Sequence, residues 1–290
     1  MHAILFLQPC FEVPAMRFSG SIAVFLVMFL AALSSAQRPK PANLKVESSE
    51  SGGGGSSDAK QYIEVRTYQL VSAEDEAVLD AYLENALVPA LVRQGLGPIG
   101  VLDQADEADS VEVKVIIPGP TLDAVVMSNV RLSSDSQYQA EAREYLDTPR
   151  KEAPLKRIKS ELLLAFDCWP TVKVPEQTTA SKDRYFEMRS YQSSTEKLGN
   201  LKVEMFNEGE VPIFLDADIM PVFMGQALIG EQMPNLTYMV VFDDEQSMKE
   251  AWPNFIKHPD WKKLSSVEKY KGTVSKNIKS FWKPKSYSQL

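Results

Sequence analysis

The C-terminal part of the chain alternates between strand-like and helix-like apolar spacing. Residues 185–192 alternate with the two-residue period of a strand, and residues 198–214 carry apolar side chains at helical spacing. Two further strand-like runs follow over residues 223–229 and 236–242. The pattern therefore opens as strand, helix, strand, strand.

The same region closes with helical spacing and a short strand. The aspartates at 243–244 are typical helix N-caps ahead of residues 246–257. The proline after His258 ends that helix, because a residue before proline avoids the α-helical region. A further helix is predicted over 261–270 and a last strand over 278–282. Together these elements give the order βαββαβ, the ferredoxin-like pattern.

An internal repeat relates the two halves of the chain. Segment 62–69 recurs at 185–192, an offset of 123 residues (185 − 62 = 123), with five of eight positions identical, which is hard to obtain by chance. The same offset aligns Val88 with Val211, Pro89 with Pro212, and Pro98 with Pro221. The apolar runs 113–117 and 236–242 follow in the same order but are expected to need a small gap.

This repeat predicts an α+β fold of two tandem ferredoxin-like (βαββαβ) modules. The first, divergent module is placed at residues 61–175 and the second at residues 183–290. An antiparallel sheet with helices on one face leaves its other face uncovered. The two modules are therefore expected to pack sheet to sheet as an α+β barrel within one chain, an intrachain pseudo-dimer.

The repeated strand has one polar face and one mostly apolar face. Phe186, Met188 and Ser190 form the face that is expected to contact the module's own helices. The opposite face is expected to line a pocket between the two sheets. It comprises Tyr62, Glu64, Arg66 and Tyr68 in the first copy and Tyr185, Glu187, Arg189 and Tyr191 in the second.

The N-terminal residues predict an exported protein, secreted or periplasmic. Arg17 precedes an apolar run over 22–33 and a small-residue cleavage site, which match the three parts of a signal peptide over residues 1–36. Met16 is an alternative start. A retained membrane anchor is disfavoured, because the run is shorter than the ~20 residues that span a bilayer. Residues 37–60 are rich in Pro, Ser and Gly and are predicted to be a flexible linker.

Composition narrows the partners of the mature chain. The formal net charge of −8 argues against nucleic acid as a partner, because phosphate binding needs a basic surface. Cys10 lies in the predicted leader, which leaves Cys168 alone in the mature chain and excludes an intrachain disulfide. Cys168 is interpreted as a small buried side chain rather than a reactive thiol.

Candidate chemistry is sparse. His258 is the only histidine outside the leader. It is interpreted as a helix cap, with a haem ligand or a catalytic base as the alternative. The Glu–Arg pairs at i and i+2 are interpreted as structural ion pairs, with carboxylate binding or acid–base catalysis as the alternative. One histidine and one cysteine do not supply a metal site, and no phosphate loop or nucleophile elbow is present. No catalytic residue, metal or cofactor is therefore predicted.

Several motifs of the second copy resemble the NIPSNAP family. They are the strand 185–191, Gly230 ahead of the run 236–242, and the segment 252–261, which ends in His-Pro-Asp-Trp. The resemblance covers about the last third of the chain and implies a dimeric α+β barrel fold. It also implies a poorly characterised role, with eukaryotic relatives linked to mitochondria and vesicle trafficking. An exported form suggests a bacterial envelope protein.

The first copy departs from this family pattern. It has Thr148-Pro149-Arg150 where the pattern expects His-Pro and a downstream Trp, so it is interpreted as a degenerate copy. Trp261 and His258 of the second copy therefore join the candidate pocket residues. Any site that depends on the histidine can occur only once in the mature chain.

Two functions from different classes remain. The favoured hypothesis is a non-enzymatic envelope protein that binds a small ligand or a protein partner through the inter-sheet pocket. The alternative, by analogy to the barrel fold alone, is a small-molecule monooxygenase or a haem-handling enzyme that uses His258. Further association into homo-oligomers is compatible with both hypotheses.

Overall fold

A computed structural model describes residues 59–106, 110–180 and 183–290. The predicted signal peptide, residues 1–36, and all but the last two residues of the predicted linker lie outside the described residues. Within the described ranges, no helix has the length and apolar character that crossing a bilayer requires.

The described residues form eight strands and eleven α-helices around one barrel. The strands are β1 (Tyr62–Leu70), β2 (Gly100–Gln104), β3 (Glu112–Gly119), β4 (Leu155–Ala165), β5 (Tyr185–Gln192), β6 (Met220–Ile229), β7 (Asn235–Phe242) and β8 (Lys276–Pro284). The helices of the first half are α1 (Glu76–Tyr82), α2 (Val88–Arg93), α3 (Leu122–Val126), α4 (Ser128–Leu132), α5 (Ser136–Glu141) and α6 (Arg143–Leu146). Those that follow are α7 (Glu176–Thr179), α8 (Glu196–Met205), α9 (Val211–Asp216), α10 (Glu245–Lys257) and α11 (Pro259–Ser265).

Two π-helical turns and two 3₁₀ turns complete the helical segments. The π-helical turns, Leu83–Leu87 and Phe206–Glu210, each precede a helix with a proline in its first turn. In both cases the preceding helix, the turn and the following helix are contiguous along the chain, and the proline lacks the N–H that would continue the helical hydrogen bonds. The 3₁₀ turns are Ala73–Asp75 and Glu268–Tyr270.

The strands close into a barrel in the order β1-β3-β2-β8-β5-β7-β6-β4. Every neighbouring pair is antiparallel. The first four strands are contiguous as β4-β1-β3-β2 and the last four as β8-β5-β7-β6, joined by the β2–β8 and β6–β4 pairs. The predicted α+β barrel is therefore present. Its two halves join along their strand edges, which leaves no free edge.

The pairing register keeps the repeat offset further than the sequence pattern suggested. Tyr62 pairs with Gly119 in the first half and Tyr185 with Phe242 in the second, and both differences are 123 (185 − 62 and 242 − 119). The gap expected between runs 113–117 and 236–242 was therefore wrong. Only the last strand of each half differs. Glu64 pairs with Leu162 of β4 and the corresponding Glu187 pairs with Phe281 of β8, so β8 is offset from β4 by 119 residues (281 − 162).

The predicted faces of the repeated strands are the reverse of the observed ones. Phe186 and Met188 belong to an apolar cluster to which all eight strands contribute, and this cluster fills most of the barrel interior. Tyr185 packs instead with side chains of α9 and α10, on the outer side of the sheet. The placement of the Tyr-Glu-Arg-Tyr face between the sheets was wrong. The interior of an eight-stranded barrel is just wide enough to be filled by side chains, so the apolar positions occupy it.

Candidate functional site

A cavity of about 470 Å³ lies between the sheet and the helices of the second half. It is called the second-half pocket. The strands β5 and β8 form its floor, and α8, α10 and α11 form its walls. Its lining side chains include Glu187, Arg189, Tyr191, Lys202, Glu210, Trp252, Phe255, Trp261, Lys279 and Phe281.

A charged and aromatic network covers the floor of this pocket. Glu187 and Arg189 lie two residues apart on β5, on the same face, and the Arg189 Nε donates to Glu187 Oε1 at 2.6 Å. The second carboxylate oxygen of Glu187 accepts from the Trp252 indole N–H. The Arg189 guanidinium also lies over the Trp252 ring, with 3.5 Å from Cζ to the ring centroid, in a cation–π contact. The Glu187 carboxylate and the Trp252 indole therefore fix the position of Arg189.

Phenolic groups extend this network along the strand. Arg189 Nη1 donates to the Tyr191 hydroxyl at 3.2 Å, and that hydroxyl lies 2.9 Å from the hydroxyl of Tyr238 on β7. Burial raises the pKa of Tyr238 well above its ordinary value. Tyr238 therefore stays protonated at neutral pH and serves as a hydrogen-bonding group.

Helix α10 presents Trp252 to the pocket. The helix begins at Asp244, whose carboxylate accepts from the Ser247 N–H at 2.7 Å, a standard N-cap. Met248, Ala251 and Phe255 follow at helical spacing and are buried against the sheet. Trp252 lies beside this apolar stripe, so its indole reaches the strand floor while part of the ring stays open to the cavity.

A second ion pair lies deep in the pocket wall. The Lys202 Nζ of α8 donates to Glu210 Oε2 at 2.7 Å, and the two side chains are only 5% and 2% exposed. Glu210 ends the π-helical turn Phe206–Glu210, and such turns occur frequently at functional sites. Burial raises the pKa of Glu210. Lys202 Nζ also lies 4.5 Å from the centroid of the Phe206 ring.

The corresponding pocket of the first half lacks this ion pair. The repeat offset of 123 maps Lys202 to Leu79 and Glu210 to Leu87 (202 − 79 and 210 − 87), and both leucines are fully buried. The fold therefore accepts two leucines where the second half has a buried lysine and a buried glutamate. Because desolvating an ion pair costs free energy that leucines avoid, the pair indicates a role other than stability.

The first-half pocket measures about 430 Å³, and the Glu–Arg pair on its strand β1 is hydrogen-bonded within the pocket. Arg66 makes two hydrogen bonds of 2.8 Å to the Glu64 carboxylate, and Ser160 adds a third bond to it at 2.7 Å. The offset of 119 in the last strand maps Ser160 to Lys279 (279 − 160). Lys279 is exposed at the edge of the second-half pocket and forms no salt bridge among the described residues. The two pockets thus differ in charge as well as in polarity.

The structure divides the predicted pocket residues among several places. Glu187, Arg189, Tyr191 and Trp261 share the second-half pocket, and Glu64, Arg66 and Tyr68 share the first-half pocket. Tyr62 packs at the edge of the first-half core, and Tyr185 stacks on Phe281 with 5.8 Å between the ring centroids. The predicted residues therefore do not form one pocket between the sheets.

His258 lies between α10 and α11, outside the lining of the second-half pocket. Its Nδ1 accepts a hydrogen bond of 3.3 Å from the Asp260 N–H, which makes it the N-cap of α11. Its Nε2 lies 3.7 Å from the Asp216 carboxylate. This geometry supports the capping interpretation, although the group that His258 caps is the start of a helix rather than a helix C-terminus.

Sequence reasoning missed Lys202, Glu210, Trp252 and Lys279. A signal for the first two was present, because the repeat offset aligns each of them with a leucine. Trp252 lay within the motif that carries the family resemblance, but its contact with Glu187 joins residues 65 positions apart. No local pattern encodes such a contact.

Metal and thiol chemistry find little support in the described ranges. There, no group of three or more His, Cys, Asp or Glu side chains is placed to hold a metal ion. Cys168 is half-buried, and burial raises the pKa of its thiol to about 11. The thiol is therefore protonated at neutral pH, as expected for a packing residue.

The half of the chain that carries the Lys202–Glu210 pair also carries a family signature. Residues 186–289 match the NIPSNAP family model. The resemblance found in the sequence is thereby confirmed, and a match confined to this region is consistent with the second copy being the better one. A search of curated proteins finds no match.

Solved structures share the barrel around this NIPSNAP region. A candidate monooxygenase from Lactobacillus acidophilus has a TM-score of 0.51 at 10% identity, over 77% of this chain and 93% of that chain. A second, from Fusobacterium nucleatum, has a TM-score of 0.50 at 9% identity, over 78% and 93% of the two chains. A NIPSNAP-like domain protein from Burkholderia xenovorans matches 36% of this chain and 88% of its own, at 12% identity and a TM-score of 0.33. At such identities the first two show a shared fold of the dimeric α+β barrel type.

Proposed function

We propose that the second-half pocket of the NIPSNAP region binds a small aromatic acid. The observation that carries this proposal is the buried Lys202–Glu210 pair in a cavity that aromatic side chains also line, at positions where the first half has leucines. The cavity volume of about 470 Å³ lies within the range of small-molecule sites. The pocket lies between sheet and helices, which replaces the inter-sheet location expected from the sequence.

The pocket walls favour a flat, apolar ligand body. Trp252, Trp261 and Phe281 are each only partly buried, so their rings contribute open apolar surface to the cavity. Aromatic side chains bind planar groups by offset stacking or edge contacts. Because Glu187 and Arg189 already hold the Trp252 indole, the ring is positioned before a ligand arrives, which reduces the entropy lost on binding.

The charges favour an anionic group on the ligand. Arg189 is neutralised by Glu187, and Lys202 by Glu210, which leaves Lys279 as the unpaired cation among the described lining residues. A carboxylate at the pocket edge would pair with Lys279 while the aromatic body enters the cavity. Serine occupies the corresponding place in the first half, so that pocket lacks this attraction.

Calorimetric titration with indole-3-acetate tests this function. Binding is expected to the intact protein. Lys279→Ser, which copies Ser160, is expected to weaken it about two- to fivefold, because an exposed ion pair contributes up to ~1 kcal/mol. Indole, which lacks the carboxylate, should bind both proteins equally. Ser160→Ala in the first-half pocket is the matched control and should leave the affinity unchanged. Equal affinity of Lys279→Ser and the unaltered protein for indole-3-acetate would refute the proposal.

Acid–base chemistry on the bound ligand is a second candidate. It is favoured by Glu210, whose carboxylate lines the cavity and whose pKa is raised by burial, so that it can take up a proton from a bound ligand. The comparable folds named as candidate monooxygenases fit such a role only by analogy. His258 is not required, because it lies outside the pocket lining. Turnover of a bound aromatic acid that is lost in Glu210→Gln but kept in His258→Asn would favour this candidate over binding alone.

We further propose that the protein is exported and that its halves descend from one ferredoxin-like module. Export is supported by the signal-peptide pattern of residues 1–36, and N-terminal sequencing of the protein from a secreting host should begin after Ala36. Duplication is supported by the shared strand order and by the offset of 123. A fragment of residues 183–290 should then form a homodimer through β6–β8 pairs. A folded monomer of that fragment would contradict the duplication.

A further inference from the structure

One end of the barrel interior opens into a small polar chamber, separate from both helix-side pockets. The chamber measures about 210 Å³. Its floor is apolar, with Val65 and Met188, and its walls carry side chains from β1, β3, β4, β5, β7 and β8. It is called the barrel chamber. The residues used below are Thr67, Lys114, Glu161, Ser190, Thr237 and Ser280.

Apolar side chains pack the barrel interior beyond the floor of this chamber. Leu290 is fully buried in the interior cluster, close to Gly100 at the start of β2. Strand β2 runs parallel to β1, because both pair antiparallel with β3. Gly100 pairs with Ile116, which pairs with Val65 of β1, so Leu290 lies nearer the start of β1 than Thr67 does.

A lysine and a glutamate face this chamber without contacting each other. The Lys114 Nζ donates to the Thr67 hydroxyl at 2.7 Å and lies 4.8 Å from the centroid of the Trp282 ring. The Glu161 Oε2 accepts from the Thr237 hydroxyl at 3.2 Å. Within the described part of the chain, neither side chain forms a salt bridge. Burial lowers the pKa of Lys114 and raises the pKa of Glu161, as expected for charges whose hydration is only partly replaced.

The second half has no such charges at the corresponding places. The offset of 123 maps Lys114 to Thr237, and the offset of 119 in the last strand maps Glu161 to Ser280 (237 − 114 and 280 − 161). Hydroxyl side chains therefore satisfy the same barrel positions.

Lys159 and Glu231 also line the chamber and pair with each other at 3.4 Å, whereas Lys114 and Glu161 are half-buried and have no salt bridge among the described residues. Because partly desolvated charges cost free energy unless they are partnered, a ligand that carries both charges would satisfy Lys114 and Glu161 together.

We propose that the barrel chamber binds a small amino acid, whose carboxylate contacts Lys114 and whose ammonium group contacts Glu161. The hydroxyl of Ser190 can contact a polar side chain of the ligand, and the Ser280 hydroxyl, which accepts from the Trp282 indole N–H at 2.8 Å, can still donate to it. The volume of about 210 Å³ admits a small amino acid such as glycine, alanine or serine.

Ligand-observed NMR and calorimetry with L-serine test this site in the full chain. L-serine is expected to bind, while acetate and methylamine, which each carry one of the two charges, are expected to bind at least tenfold more weakly. Lys114→Thr and Glu161→Ser copy the residues of the other half, so the fold has a precedent for both. Each should weaken L-serine binding at least tenfold. Lys249→Thr, on the exposed face of α10, is the control and should have no effect.

Three results would overturn the proposal. The first is no binding of L-serine to the unaltered protein. The second is acetate binding as tightly as L-serine, which would indicate an anion site only. The third is unchanged L-serine binding in either chamber variant. If a variant fails to fold, the comparison of L-serine with acetate and methylamine on the unaltered protein still decides the matter.

Discussion

Replacing Lys202 and Glu210 by leucine, singly and together, tests whether their ion pair is kept for function. The pair is almost completely buried, with side chains 5% and 2% exposed. Removing one member of a buried pair leaves the other charge without a partner, which costs about 3–5 kcal/mol of the free energy of unfolding. Replacing both copies the Leu79 and Leu87 positions of the first half, so the double variant should be about as stable as the unaltered protein, or ~1–4 kcal/mol more stable.

Urea unfolding at pH 7, followed by circular dichroism, measures these free energies. Equal slopes with denaturant should be confirmed first, because a changed slope would indicate an altered denatured state. The Lys249–Glu245 pair of α10 is the control, since its side chains are 58% and 56% exposed. Lys249→Ala should cost less than about 1 kcal/mol.

The single variant Lys202→Leu also has an expected pH dependence. Burial already raises the pKa of Glu210, and loss of the neighbouring ammonium removes a group that lowers it. The folded variant then binds the Glu210 proton more tightly than the unfolded chain, so its free energy of unfolding should fall as pH rises and recover on acidification. Either single variant costing under about 1 kcal/mol at pH 7, or a double variant as unstable as the sum of the singles, would refute the reasoning.

Three further predictions concern the frame around the pockets. Gly225→Ala at the β4–β6 junction should cost about 1–3 kcal/mol of stability, because its Cβ would lie 2.8 Å from Leu163 Cβ and 3.2 Å from a backbone oxygen. The control Gly199→Ala in α8 meets only ordinary contacts and should be neutral or stabilising. Equal losses of melting temperature in the two variants would contradict this prediction. His258→Ala should lower stability by about 1 kcal/mol, because the N-cap of α11 is lost, and should not weaken ligand binding. His258→Asn should restore the lost stability. Weaker ligand binding by both variants would place His258 in the site instead. Burial raises the pKa of Asp103 to about 6, so the folded state holds a proton that the unfolded chain releases near pH 4. The free energy of unfolding should therefore fall as pH rises from about 4 to 6. Asp103→Asn should remove that dependence, and an unchanged pH profile would show that other groups cause it.

Much of the fold was predictable because the repeated segments keep one offset along the sequence. The strand 185–192 and its copy at 62–69 were confirmed as β5 and β1, with their ends within one residue. The order of elements followed from apolar spacing and the N-cap at Asp244. One offset that holds across several strands says more about the fold than any single motif does.

The candidate site was only partly predictable. Alternation separates the two faces of a strand but does not say which one enters the barrel, so Glu187 and Arg189 were placed on the wrong side of the sheet. Lys202 had the pattern of a solvated helix position, and its burial depends on the π-helical turn that returns Glu210 to it. Contacts between distant segments decide such positions, and neither periodicity nor composition encodes them.

The most direct test of the second-half pocket as the functional site is a crystal structure of the full chain with bound indole-3-acetate. The indole ring is expected in the second-half pocket against Trp252 and Phe281, with the carboxylate within hydrogen-bonding distance of Lys279. Occupancy of the first-half pocket or the barrel chamber instead, with the second-half pocket empty, would contradict the account.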